Sequence, residues 1–257
     1  MRVAIASVVA AAVLAASAAA QTTGGTTTAP PVTPRLPGID VSRFQGLIDW
    51  QAVAEAGVRF AFVQASRGSG SDCTTAPEQC GPDAYYSFNY GSAKAEGIRV
   101  GPYHRAFVGG RGPRAVKSDA RTEARQFCAT VGELVPGDLR PALDLESPLG
   151  DLNPFELRLW AKTWLRSVER RLDARPIIYT NASTWAAIGD PTSFALRGHP
   201  LWVANWGVTA PQVPAENWAG YSWRLWQYSS SGRIDGITGR VDRDWLRGGW
   251  NGVSITG

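Results

Sequence analysis

The sequence predicts an irregular β/α barrel of about eight strands, with helices mainly between the first five. Three observations predict it. From Gly38 onward, short apolar runs alternate five times with amphipathic stretches, the pattern of a parallel sheet with right-handed crossovers. Three more strand-like runs follow, separated only by short gaps containing Gly, Pro and Ser. The stretch from about Pro37 to Gly257 also has the length of one barrel domain.

The elements follow in order along the chain. Gly38–Ser42 reads as the first strand, and Trp50–Ala56 has helical spacing that ends at Gly57. Phe60–Ala65 is a second strand, followed by a helix from Tyr85 to Glu96 that closes at Gly97. Ile98–His104 is a third strand, followed by a helix over Ser118–Val131 that closes at Gly132. Leu139–Leu145 is a fourth strand. Pro154–Leu172 then places Leu157, Trp160, Trp164, Leu165 and Val168 on one stripe, the apolar face of a core helix. Pro176–Thr180 is the fifth strand. Leu201–Trp206, Trp223–Tyr228 and Gly239–Asp242 complete the eight.

Ahead of this domain lie two segments of other character. Met1–Ala20 has a basic start, an apolar centre and an Ala-x-Ala ending, the composition of a secretory signal peptide cleaved before Gln21. Residues 21–36 are Thr, Gly and Pro with almost nothing to bury, which reads as a Thr/Pro-rich tether. The domain itself is expected over residues 37–257.

The chain has 44% hydrophobic and 19% charged residues, a globular composition. Its three cysteines suit an exported protein: Cys73 and Cys80 flank a short polar loop and are expected to pair, which leaves Cys128 as a buried free thiol. With only His104 and His199, no zinc-ligand spacing occurs and neither metal nor cofactor is expected. The formal charge of +4, without Lys/Arg runs, argues against nucleic acid. It suits long-range attraction to an anionic polymer. No membrane association is expected once the signal is removed, and the chain is expected to be a monomer.

In barrels of this kind the chemistry sits at the C-terminal ends of the strands. Arg140–Glu146 ends there in two carboxylates separated by Leu145. Side chains two apart in a strand share a face, so Asp144 and Glu146 point the same way. Two close carboxylates cannot both ionise freely, so one keeps its proton to higher pH. A protonated carboxyl of this kind is what glycosidic bond cleavage requires as its general acid. Asp40 and Asp242 fall near other strand ends, as do Tyr103, Tyr179, Asn181, Trp206 and Gln227. Aromatic faces stack on sugar rings, and Tyr103, Tyr179, Trp206 and Gln227 are therefore candidate substrate contacts. His104 reads as a hydrogen-bonded strand-end residue.

These motifs resemble glycoside hydrolase family 25, the Chalaropsis-type lysozymes. The resemblance rests on Gly38–Gly46 with Ile48–Trp50, then Gly97–His104, Pro141–Glu146, Ile178–Asn181, Leu201–Trp206, Leu225–Ser229 and Gly236–Asp242, collinear over nearly the whole domain. It implies a flattened barrel and hydrolysis of the β-1,4 bond between N-acetylmuramic acid and N-acetylglucosamine in peptidoglycan, which together with the signal-like Met1–Ala20 gives the expectation of a secreted lysozyme. It also implies that Glu146 is the general acid, with Asp144 orienting or stabilising the reacting centre. Asp40 and Asp242 match two further acids of the family's cleft. Two departures stand out: Val241-Asp-Arg-Asp244 replaces a Val-Asp-x-Asn pattern, and Tyr103-His-Arg105 replaces Tyr-His-Phe.

Other readings fare worse. A chitinase of the Asp-x-x-Asp-x-Asp-x-Glu type would need acids where Leu139 and Ala142 stand. A non-catalytic wall-binding barrel would be expected to lack the carboxylates, and a Ser-His-Asp hydrolase would need a nucleophile elbow.

Overall fold

Parallel strands dominate the sheet, and inward-facing residues along it change from apolar to polar. The computed structural model describes residues 33–69 and 80–256, which lie in one compact unit starting at Thr33. The proposed signal peptide and most of the tether lie outside the described residues. So does Cys73, and with it the expected Cys73–Cys80 pairing. Cys128 is a free, half-buried thiol, with its pKa pushed up to about 11 by burial.

The barrel strands are β1 (Arg35–Val41), β2 (Phe60–Arg67), β4 (Arg99–Arg105), β5 (Ala142–Asp144), β6 (Ile177–Thr180), β7 (Leu201–Ala204), β8 (Leu225–Gly232) and β9 (Val241–Arg247); a short strand, β3 (Gly81–Pro82), adds to β2. Pairing runs β1-β9-β8-β7-β6-β5-β4-β2, and β2 returns to β1, so eight strands close a barrel. Seven of the strands pair in parallel, and β9 runs antiparallel to both β8 and β1. Two boundaries differ from the sequence reading. β1 starts at Arg35, two residues inside the expected tether, because Arg35 and Leu36 find ladder partners in Arg247 and Leu246. The last strand is Val241–Arg247 and not Gly239–Asp242, since Gly239, with φ 91°, sits in the turn before it.

The helices are α1 (Trp50–Glu55), α2 (Tyr86–Ala95), α3 (Gly112–Val131), α4 (Pro154–Leu172), α5 (Ala182–Ala187) and a short turn, α6 (Pro214–Ala219). α3 begins six residues before the expected Ser118, because Pro113 sits where a missing N–H costs nothing. α4 is stopped at its start by an Asn153–Glu156 capping box, worth about 1 kcal/mol. α4 buries Trp160 and Trp164 fully against the sheet's outer face, each burial worth roughly 2–3 kcal/mol. In α6, residues Ala215–Ala219 all have φ between 52° and 57°, a left-handed turn that costs about 1 kcal/mol or more per residue. An Asp190 carboxylate accepting from the Ala215 N–H (2.7 Å) and Trp218 Nε1 donating to His199 O (2.8 Å) hold it.

Alternation divides the hydrophobic residues into two clusters. One lies between strands and helices; the other, with Phe60, Phe62, Ile177, Trp202, Leu225 and Leu246, fills the barrel. Gly38 and Gly101 make room inside: a Cβ on Gly38 would lie 2.3 Å from the Phe60 ring, and one on Gly101 would lie 2.7 Å from Leu139 and Phe62. The C-terminal turn closes the lower end, where Val253 packs into the interior cluster and Leu139 bridges Ser254.

Candidate active site

The same alternation that puts Phe60 and Phe62 inside the barrel puts Gln64 there, one step higher on β2. Gly38 leads to Asp40, Gly101 to Tyr103 and Arg105, Ala142 to Asp144, Ile177 to Tyr179, and Leu225 to Gln227. Residues two apart share a face, so the apolar barrel filling ends in a polar layer at the upper rim. There Asp40, Ser42, Phe44, Gln64, Arg67, Tyr103, Arg105, Asp144, Glu146, Tyr179, Trp202, Gln227 and Asp242 enclose a cavity of about 270 Å³.

All of the sequence-derived site residues converge on this rim except Trp206, which stands at its edge. Trp206 is 52% exposed and donates from Nε1 to Gln227 Oε1 (2.9 Å). Tyr103 and Tyr179 are buried in the floor, not on the surface, so they can present only their hydroxyl ends to a ligand. Asp242 reaches the rim differently from the expected strand end. It is the second residue of β9, and only because β9 runs antiparallel does its N-terminal end lie beside the C-terminal ends of the other strands.

Gln227 is the hub of the floor. Its amide nitrogen donates to Asp40 Oδ2 (2.7 Å) and Asp242 Oδ2 (3.3 Å), and its carbonyl accepts from Tyr179 OH (3.0 Å) and Trp206 Nε1. Asp244 lies deeper and accepts from Trp202 Nε1 (2.7 Å). Burial pushes the Asp40 carboxyl well up, and its neighbours Asp242 and Asp244 push it further. Burial also raises Asp242 to about 6 and Asp244 to about 8. Three acids this close cannot all ionise, so the floor stores protons at neutral pH.

The Asp144/Glu146 pair forms the opposite wall. Asp144 is buried, which raises its pKa well above the usual range; Arg105 pulls it down and Glu146 pushes it up. The Glu146 side chain is 31% exposed and opens toward the cavity. Arg105 grips this wall with its whole fork. Its Nε lies 3.2 Å from Glu146 Oε1 and 3.7 Å from Asp144 Oδ2. Nη1 donates to the carbonyls of Ala106 (3.2 Å) and Glu146 (3.1 Å), and Nη2 to that of Ser147 (3.0 Å). A planar fork making these contacts fixes both the acid pair and the backbone that carries it.

Sequence reasoning missed Ser42, Phe44, Gln64, Arg67 and Trp202 as site residues, and it marked Asp244 only as a departure from the family's last motif and a competitor of Asp242. Strand alternation could have found Gln64 and Asp244, two residues beyond Phe62 and Asp242 respectively. The sequence marks Phe44 only as part of the Gly38–Gly46 motif; it stands 69% exposed on the lip, in the middle of a short 3-10 turn (Arg43–Gln45) capped by Ser42. His104 points outward from β4, fully buried between Ser66 Oγ (2.8 Å) and Glu123 Oε2 (2.7 Å) and stacked on Trp164. It is a structural residue, as its sequence position suggests.

Comparisons with known proteins converge on one family. The family model described as Glycosyl hydrolases family 25 matches residues 39–237. Lysozyme M1 of Streptomyces globisporus is 33% identical over 231 residues, covering 85% of this chain and 70% of that protein. The N,O-diacetylmuramidase of Chalaropsis sp is 26% identical, covering 80% of this chain and 95% of the other. The crystal structure of a bacterial lysozyme from Streptomyces coelicolor superposes with a TM-score of 0.70 at 34% identity, covering 83% of this chain and 92% of that one.

Proposed function

Because the chain belongs to glycosyl hydrolases family 25 and is a glycoside hydrolase, we propose that it is a secreted N-acetylmuramidase cutting the β-1,4 bond between N-acetylmuramic acid and N-acetylglucosamine in bacterial peptidoglycan. One observation carries the assignment of roles. The Asp144/Glu146 pair forms one cavity wall, with Asp144 buried and Glu146 opening into the cavity under the Arg105 fork.

Burial and the neighbouring Glu146 raise the Asp144 pKa, while Glu146 is the member whose side chain opens into the cavity and can deliver a proton to a leaving oxygen. Asp144 then faces the reacting centre as a carboxylate. In that position it supports attack by the substrate's own 2-acetamido carbonyl or stabilises the oxocarbenium-like charge, a course that retains anomeric configuration. Asp40 and Asp242, joined through Gln227, shape the floor beneath the reacting sugar. Tyr103, Tyr179 and Gln227 supply polar contacts, and the exposed Phe44 and Trp206 flank the opening as stacking faces.

Export follows from the residues of Met1–Ala20 and the tether after them, and it suits a pairing of Cys73 with Cys80. Mass spectrometry of fragments released from purified peptidoglycan tests the reaction. Fragments ending in reducing muramic acid are expected, and reducing glucosamine ends would replace the assignment with a glucosaminidase. N-terminal sequencing of the exported protein should start at Gln21.

A further inference from the structure

The lower end of the barrel, away from the cavity, carries a ring of arginines. Arg35 is the first residue of β1, Arg99 the first of β4, and Arg59 and Arg224 immediately precede β2 and β8. Arg140 and Arg175 stand two residues before β5 and β6, and Arg247 ends the antiparallel β9. Of the eight barrel strands, only β7 lacks an arginine there, and His199 stands in its place.

The ring is built from neighbours. Arg35 and Arg247 are direct cross-strand partners, and the Arg247 N–H donates to Arg224 O (2.9 Å). Arg99 donates to Arg59 O (3.2 Å). Like charges directly opposite in a sheet are destabilising, and neutralisation is sparse: of the seven arginines of this ring only Arg175 has an ion pair with a described residue, to Glu169 at 2.9 Å. Arg140, Arg224 and Arg247 are each held below the usual guanidinium range, by burial first and then by another arginine of the ring. Aromatic faces set the geometry, with Arg35 and Arg247 over Trp223 and Arg99 over Trp250. Between Arg140 and Arg224 runs a groove of about 350 Å³, lined also by Leu196, Pro200, Ser222 and Tyr221. Tyr221 is 65% exposed.

Arg224 donates to the carbonyls of Gly249 and Asn251, Arg247 to Ser222 Oγ and Arg99 to Ser254 Oγ, neutral partners that fix the guanidinium groups without cancelling their charge. Arginines held in this way on rigid strand ends form a preorganised receptor for a chain of anions. Resting on the reading of this chain as a wall hydrolase, we infer that the lower rim binds a phosphodiester-linked polyol or sugar-phosphate polymer of the bacterial wall. The spacing favours a phosphodiester chain over the carboxylates of peptide stems. Neighbouring strands are about 4.8 Å apart, so arginines on adjacent strands meet a polymer with one anion per short repeat. Peptide stems present isolated carboxylates. The three to five residues between these arginines and the cavity residues of the same strands, such as Arg140 to Asp144 and Arg59 to Gln64, separate the two by roughly 10–17 Å, so a polymer held below leaves the cleft open to a glycan strand. Attachment of that kind raises the local substrate concentration without changing the chemistry.

The test uses the full chain and the triple variant Arg35→Gln, Arg59→Gln, Arg140→Gln, none of which touches the cavity. Co-sedimentation is measured with phosphopolymer-bearing walls and with the same walls stripped by hydrofluoric acid. On the phosphate-bearing walls the triple variant should bind roughly tenfold more weakly, about 0.5 kcal/mol per lost charge. On stripped walls it should match the parent. The triple Arg→Lys variant should keep most of the binding, because it keeps the charge, and thereby controls for misfolding. Equal binding of parent and Gln variant on phosphate-bearing walls, or an equal loss on stripped walls, would overturn the inference. Hydrolysis of soluble peptidoglycan fragments should be unchanged in every variant. Failure of the parent on those fragments would refute the muramidase reading, while the binding arms would still report on the rim.

Discussion

The two ends of the barrel are made by the same strands and differ in what their charges can do. At the upper rim Asp40, Asp144, Asp242 and Asp244 are buried together and their pKa values are raised. Arg105 is wrapped around the acid pair, and opposite charges meet over a cavity. At the lower rim charges of one sign stand side by side with few partners and no cavity chemistry. The upper end holds protons that can move, and the lower end holds a ring of guanidinium charge of one sign. Catalysis needs the first, and long-lived attachment to a polyanion is served by the second.

The comparison breaks most sharply at Glu146. Glu146→Gln keeps the shape and hydrogen bonding of the wall but removes the transferable proton, and should lower kcat by about 10²–10⁴-fold. Thermal unfolding should be unchanged within a few degrees. Near-parental lysis by this variant would show that the upper rim's mobile proton lies elsewhere.

Arg105 is the place where the upper rim borrows the chemistry of the lower one. Arg105→Gln removes the cation that opposes the effects of burial and Glu146 on Asp144. The Asp144 pKa should therefore rise further, and the acid limb of the kcat/KM profile should move to higher pH. Loss of the fork on the Glu146 and Ser147 carbonyls should also lower kcat roughly tenfold, through misplacement of the acid. Arg105→Lys separates the two effects: it should restore most of the pH profile while kcat stays reduced. An unshifted acid limb in Arg105→Gln would show that the arginine serves geometry alone.

Stability should follow the upper rim's protons. Asp242 and Asp244 have folded pKa values of about 6 and 8, above an unfolded value of about 3.9. The folded state therefore binds more protons, and the stabilisation they provide is complete below pH ~4. It is lost as pH rises through 6 and then 8. Tm should fall by several degrees between pH 5 and pH 8, at about 2–4 °C per kcal/mol. Asp244→Asn should flatten the upper part of that decline, because it keeps an acceptor for Trp202 Nε1 without a titrating proton. A Tm that rises over this range would contradict the raised pKa values.

Much of the upper rim was legible and almost none of the lower. Asp144 and Glu146 are separated by one residue after an apolar run, and strand alternation alone aligns them. The direction of β9 was not legible: Asp242 reads as a strand end from either direction, and only closure against β1 fixes it as a strand start. Trp206 read as a candidate substrate contact and stands exposed at the edge of the cavity, its indole tied to Gln227. Tyr103 and Tyr179 lie deeper than a stacking role would place them, because their alternation partners Gly101 and Ile177 set them on the inward face. The arginine ring is scattered from position 35 to 247, with no two members within three residues of each other. Only the superposition of strand starts in a closed barrel brings it together.

The smallest effect is the most direct probe of the lower rim's charge. Arg35→Glu places a carboxylate opposite Arg247, turning a repulsive cross-strand pair into an attractive one. Arg35→Gln removes the repulsion without adding attraction. Both lose the guanidinium over Trp223 and Trp226, so that loss cancels between them. The Glu variant should exceed the Gln variant by about 0.2–1 kcal/mol at low ionic strength, about 1–3 °C in Tm. The gap should close in 1 M salt, where the screening length is about 3 Å. Equal Tm values at low salt would mean that the ring's charges are already dispersed into solvent. A rim dispersed in that way would offer a polyanion no more than any basic surface does, and the contrast between the two ends would reduce to the cavity alone.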